Sequence, residues 1–103
     1  MGPEAMSASI NQFDLNASIE TLETLRYSPA GLAILDLWLL HESRAKEAGV
    51  ERVVNLRMKA VAFGAVAQTL SKQDLKAAFR FKGFLNTSRN GKGVVFHIQE
   101  LHN

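Results

Sequence analysis

The sequence predicts an all-β domain, a five-stranded Greek-key barrel with one short helix between the third and fourth strands. Three observations carry this expectation. Apolar residues recur with period two in several windows, Ser-Pro-Ala-Gly and Arg-Asn-Gly turn signals punctuate the chain, and one alanine-rich, helix-tolerant stretch follows the third of the strand-like segments.

Phe13, Leu15, Ala17 and Ile19 alternate with Gln12, Asp14, Asn16, Ser18 and Glu20, which makes a first strand buried on one face and wet on the other. Residues 21–27 can extend it, and Ser28-Pro29-Ala30-Gly31 supplies a turn in which proline fixes φ and glycine is free to take φ > 0. Leu32 to His41 is nearly all apolar. Pattern alone fits a strand covered on both faces or a short buried helix, and the turn in front of it favours strand. His41 to Glu51 is charged, contains Ala48-Gly49 near its end and reads as a solvated loop. In the third strand, Glu51 to Phe63, Val54, Leu56, Met58, Ala60 and Ala62 form the core face, opposite Val53, Asn55, Arg57, Lys59 and Val61.

Residues 64–73 tolerate helix, with Ser71 and Asp74 marking the far end. A last hairpin follows. Leu75 to Asn86 sets Phe79, Phe81 and Leu85 against Arg80, Lys82 and Phe84, Arg89-Asn90-Gly91 turns the chain, and Val94, Phe96 and Ile98 return. Five strands with a helix between the third and fourth is the order of an OB-fold barrel, which binds oligonucleotides on the face of its second and third strands with help from the loop between the last two. Residues 11–100 are expected to form this single domain, with 1–10 a flexible N-terminal segment and 101–103 a C-terminal tail.

Composition bounds the function. The chain has 103 residues, enough for one core, with 47% hydrophobic and 21% charged residues. Twelve Lys and Arg against ten Asp and Glu leave a formal charge of +2, which excludes a polycation and keeps anionic partners open. Without cysteine there is no disulfide, thiolate metal site or thiol nucleophile, and a reducing cytosol is compatible. The longest apolar stretch, Leu32 to Leu40, is interrupted by Asp36 and falls well short of a bilayer span, and the first ten residues lack the pattern of a signal peptide; the expected location is cytoplasmic.

Catalysis finds no support. His41, His97 and His102 show no helical metal-ligand spacing, no G-x-S-x-G elbow is present, and no carboxylate pair faces a nucleophile. Asn90-Gly91-Lys92-Gly93 resembles the end of a phosphate-binding loop but has Asn86 where glycine is required and Gly93 where serine or threonine is required, so it reads as a hairpin turn. No metal or cofactor is expected.

The basic residues carry the remaining signal. Arg57, Lys59, Arg80, Lys82, Arg89 and Lys92 fall on outward faces or in the last loop, and Tyr27, Trp38 and Phe84 are the aromatic residues available to stack bases, although a tryptophan on an apolar strand such as Trp38 is more often a packing residue. Cations that follow phosphates and aromatics that stack bases are the requirements of single-strand binding; a merely solvated charged face is the alternative. The apolar outer surface of strand two, with Val61 and Phe63 on strand three, exceeds what one barrel can cover and points to pairing of two copies.

Leu25-Arg26-Tyr27-Ser28-Pro29-Ala30-Gly31, the apolar strand ending Leu40-His41-Glu42-Ser43, Glu47-Ala48-Gly49, Lys82-Gly83-Phe84-Leu85, Arg89-Asn90-Gly91 and Val95-Phe96-His97-Ile98 resemble, in order and spacing, the primosomal replication protein N (PriB) family, relatives of bacterial single-stranded DNA-binding proteins. The resemblance implies a homodimeric, non-enzymatic OB-fold protein that binds single-stranded DNA in the restart primosome with the PriA helicase and DnaT. By position it places Arg26 before the Ser-Pro turn, Arg52 at the entry to strand three, and Arg89 and Lys92 in the basic loop. Asn55 stands where the family type has a stacking tryptophan, Glu42 where it has an arginine, and Ser88 near a further lysine. These departures predict weaker, strongly salt-dependent DNA binding with more of the work done by protein contacts. The candidate DNA-binding residues are Arg26, Tyr27, Arg52, Arg57, Lys59, Lys82, Phe84, Arg89 and Lys92. The alternative expectation is a primosomal interaction adaptor with incidental nucleic-acid affinity.

Overall fold

The computed structural model describes residues 9–103. The expected N-terminal segment lies outside the described residues except for Ser9 and Ile10. The strands are β1 (Phe13–Leu22), β2 (Arg26–Tyr27), β3 (Ala33–Glu47), β4 (Val50–Phe63), β5 (Ala78–Thr87) and β6 (Val94–His102), with a helix α1 (Ala65–Ser71) between β4 and β5. They hydrogen-bond in the order β1-β5-β6-β4-β3-β2, and β1 also pairs with β3, so that β1, β5, β6, β4 and β3 close the expected five-stranded barrel. The short β2 is an annex on the edge of β3.

Closure depends on β1 serving two neighbours. Residues 13–18 pair antiparallel with β5, a register shift lies between Ile19 and Thr21, and residues 18–22 pair with β3. A bulge of this kind bends a strand and increases its twist, which lets one segment join two sides of a barrel. The seam between β4 and β6 is parallel, Ala60 to Ala62 against Phe96 to Ile98, and its crossover contains α1 and β5.

The alternations predict most of the core; Val61, expected on the outward face, is buried where β4 pairs with β6, and in β6 Val95 is buried while Val94 is exposed. Ile19, Leu35, Leu37, Leu39, Phe81 and Phe96 are fully buried, and α1 adds Ala67 and Leu70. Leu32 to His41 hides its alternation because Ile34, Trp38 and Leu40, on the outer face, are apolar too. No described helix is long and apolar enough to cross a membrane.

Two expectations change. The segment 41–51 is not a loop: β3 and β4 stay paired without a break from Ile34–Phe63 to Glu47–Val50, turning at Ala48 (φ 51°) and Gly49 (φ 77°). Two consecutive positive φ values match the twist of a tight hairpin, and glycine takes the second without steric cost. Charge on both faces of this ribbon conceals it from periodicity, while cross-strand pairs hold it: Arg44 to Glu51 at 3.1 Å and Arg52 to Glu47 at 2.9 Å. Secondly, Leu101 and His102 are not a tail but the end of β6, opposite Phe81 and Arg80 of β5.

Candidate nucleic-acid interface

On β3 and β4, residues directly opposite share a face, so the outer surface is a ladder of rungs: Ile34 with Phe63, Asp36 with Val61, Trp38 with Lys59, Leu40 with Arg57 and Glu42 with Asn55. Beside the first three rungs lies a cleft of about 250 Å³. Arg26, Asp36, Lys59, Phe63, Arg89 and His97 are among the residues that line it, with Asn86 and Thr87 from the end of β5 and Ser88 just after it. The loop between β5 and β6 brings Arg89 there. Its shape is fixed internally: the Asn90 carboxamide oxygen accepts hydrogen bonds from the Ser88 hydroxyl at 2.7 Å and the Lys92 amide at 2.9 Å, and the Gly91 amide donates to the Ser88 carbonyl at 2.9 Å.

The second feature is aromatic. His97 on β6 stacks on Phe84 of β5 at 4.7 Å between centroids and on Phe63 of β4 at 5.9 Å, with interplanar angles of 11° and 15°. Three strands thus contribute to one column, and Phe63 remains 42% exposed at the cleft. Burial holds the His97 imidazole below its ordinary value of 6.5, so the ring is neutral at neutral pH. A base whose folded pKa is depressed contributes stability that is complete above 6.5 and is lost as pH falls from there toward the folded value, because the unfolded chain takes the proton first. The melting temperature should therefore drop on acidification below that point, and H97Q should reduce the slope; an identical slope in H97Q would exclude His97 as its source.

Charge in the candidate set is unevenly available. Arg26 binds Asp36 at 2.7 Å, Arg52 binds Glu47, and Arg57 binds Glu20 at 2.7 Å. Arg80, outside the set, makes a two-pronged contact with Asp14 at 2.8 and 2.6 Å, which lowers the aspartate pKa and raises that of the guanidinium. By contrast, Lys59, Lys82, Arg89 and Lys92 form no ion pair among the described residues.

Of the expected residues, the structure gathers Arg26, Lys59 and Arg89 at the cleft, with Lys92 on the same loop as Arg89 and Phe84 behind the aromatic column. Tyr27 is 59% exposed next to Arg26 but does not line the cleft. Arg57 sits one rung beyond Lys59. Arg52 projects from the other face of the ribbon, and Lys82 lines a separate groove with Gln12, Asp14 and Glu100. Phe63 and His97 were not among the expected site residues. The alternation does put Phe63 outward, but only the β4–β6 pairing brings the imidazole beside it.

The same architecture occurs in known proteins. Residues 11–100 match the model of a family described as another single-strand binding protein family. The replication restart protein PriB of Bordetella pertussis is 37% identical over 92 residues, covering 88% of this chain and 86% of that one. The chain belongs to the PriB family. A solved structure of PriB from Ralstonia solanacearum superimposes with a TM-score of 0.82 at 33% identity, covering 91% of this chain and 97% of that one. The chain is also similar to the single-stranded DNA binding protein of Thermus aquaticus, with a TM-score of 0.71 at 25% identity over 89% of this chain and 48% of that one. The expected OB-fold is therefore the fold of this chain, shared with both solved structures.

Proposed function

We propose that the protein is a non-enzymatic, single-stranded DNA-binding accessory factor of the replication-restart primosome, which holds DNA on the outer face of β3 and β4 and helps assemble helicase-loading partners at stalled forks. The observation that carries this reading is the cleft, where two cations without an acidic partner among the described residues, Lys59 and Arg89, stand beside the Phe63–His97–Phe84 column. A cationic path for phosphates next to aromatic faces is what sequence-tolerant single-strand binding requires. Lys92 adds charge at the loop. Arg26, Arg52 and Arg57 contribute less attraction because carboxylates already face them, Tyr27 flanks the site next to Arg26, and Lys82 stands apart in its own groove. PriA helicase and DnaT are the partners the family resemblance implies, the cytoplasm is the compartment, and a second copy covers apolar outer surface such as Leu40 and Val53.

Anisotropy of a labelled oligothymidine and of a duplex at two salt concentrations tests this reading. Three phosphate contacts, from Lys59, Arg89 and Lys92, give an expected slope of log affinity against log salt of about −2. Single strand should bind more tightly than duplex. Preference for duplex, or affinity indifferent to salt, would overturn the reading.

The pairing of five arginines with acids favours a second reading, an adaptor whose DNA affinity is incidental. A pull-down on the PriA helicase separates the two: retention of both helicase binding and restart activity by an R89A/K92A protein that no longer binds DNA selects the adaptor.

A further inference from the structure

One rung beyond the cleft, the outer face of β3 and β4 carries an arrangement that phosphate binding does not use. Trp38, the sole tryptophan, stands directly opposite Lys59. The Arg57 guanidinium lies over its ring, with Cζ 3.9 Å from the indole centroid, while Arg57 Nε donates to Glu20 Oε1 at 2.7 Å. Glu20 comes from the β1 bulge, so three strands converge on one guanidinium. The carboxylate offsets its charge, the indole covers one of its sides, and the side chain is still 53% exposed. What is offered to solvent is the free side of a planar, weakly hydrated group held in place by two partners.

We propose that Arg57 and Trp38 form a composite stacking platform: a nucleobase of single-stranded DNA lies on the free side of the guanidinium, whose other side rests on the indole. The platform rests on the single-strand binding reading and specifies a base subsite within it. Successive same-face positions on a strand are separated by ~6.7 Å, so a backbone tracked by Arg89 and Lys59 continues with its next bases over Arg57. Guanidinium planes stack bases as aromatic rings do, without reading sequence. The role assigned to Arg57 is thus that of a surface; a phosphate contact would need the charge that Glu20 has taken up.

Arg57→Lys separates plane from charge, because lysine keeps the cation and removes the flat group. Affinity for a labelled oligothymidine and for an abasic oligonucleotide of the same length is measured by anisotropy. R57K is expected to bind oligothymidine about tenfold more weakly, in the range of one lost stacking contact, and to bind the abasic strand as the wild type does. W38L is expected to show the same selective loss, and R57K, altering only an exposed side chain, decides the matter if W38L folds poorly. Unchanged oligothymidine affinity in R57K overturns the platform, and so does an equal loss on both strands, which would make Arg57 a phosphate contact. Failure of the wild type to bind either strand would overturn the DNA-binding reading itself, a result distinct from both.

Discussion

Gly83→Ala is expected to unfold the domain or to lower its melting temperature by more than about 10 °C, the shift corresponding to a loss of ~3 kcal/mol in a domain of this size. At Gly83, β5 passes so close to β6 that an added Cβ would lie 1.8 Å from the His97 carbonyl oxygen, 2.9 Å from its carbonyl carbon and 3.0 Å from the Phe96 ring. The first two neighbours are backbone and cannot rotate away. Nor can β6 retreat, because on its other side the same residue, His97, pairs with Val61 at the parallel seam. Overpacking a core costs about 1–3 kcal/mol when side chains can yield, and here a strand would have to yield. Out of a typical total of about 5–15 kcal/mol this is a large fraction. Thermal unfolding followed by circular dichroism checks it; a G83A protein melting within a few degrees of the wild type would show that β5 and β6 part more easily than their pairing suggests.

Gly83 also shows where sequence reading stops. A glycine inside a strand run signals a bulge or a close approach, and the β5–β6 register does shift between Lys82 and Gly83. The partner it approaches belongs to another strand and leaves no local trace. The same division holds elsewhere. Phe13 to Ile19 and Leu56 to Ala60 were legible because one face is apolar and the other polar. The ribbon from Glu42 to Asn55 was not, since its stability comes from cross-strand ion pairs whose members look like loop residues one by one. In the site, the cations themselves could be read. Their neutralisation could not: Arg57 and Glu20 are 37 residues apart, and Arg26 and Asp36 meet only because β2 lies along β3.

That neutralisation decides the second large effect. Lys59→Glu with Arg89→Glu is expected to weaken oligothymidine binding at low salt by more than about tenfold and to reduce the magnitude of the salt slope by about 1.4, the share of two phosphate contacts to a single strand. Both side chains are exposed and unpaired among the described residues, so the melting temperature should stay within a few degrees of the wild type. An R44A/R52A protein is the matched comparison: it also removes two cations, but ones engaged by Glu51 and Glu47 on the ribbon, and its affinity should change far less. If the DNA responded only to the net charge of +2, removing cations from the ribbon would count as much, per unit of charge, as altering those in the cleft. Equal effects per unit charge would therefore disperse the binding site over the whole surface, whereas a loss confined to the K59E/R89E protein places the phosphates where Lys59 and Arg89 line the cleft beside the exposed edge of the Phe63–His97–Phe84 column.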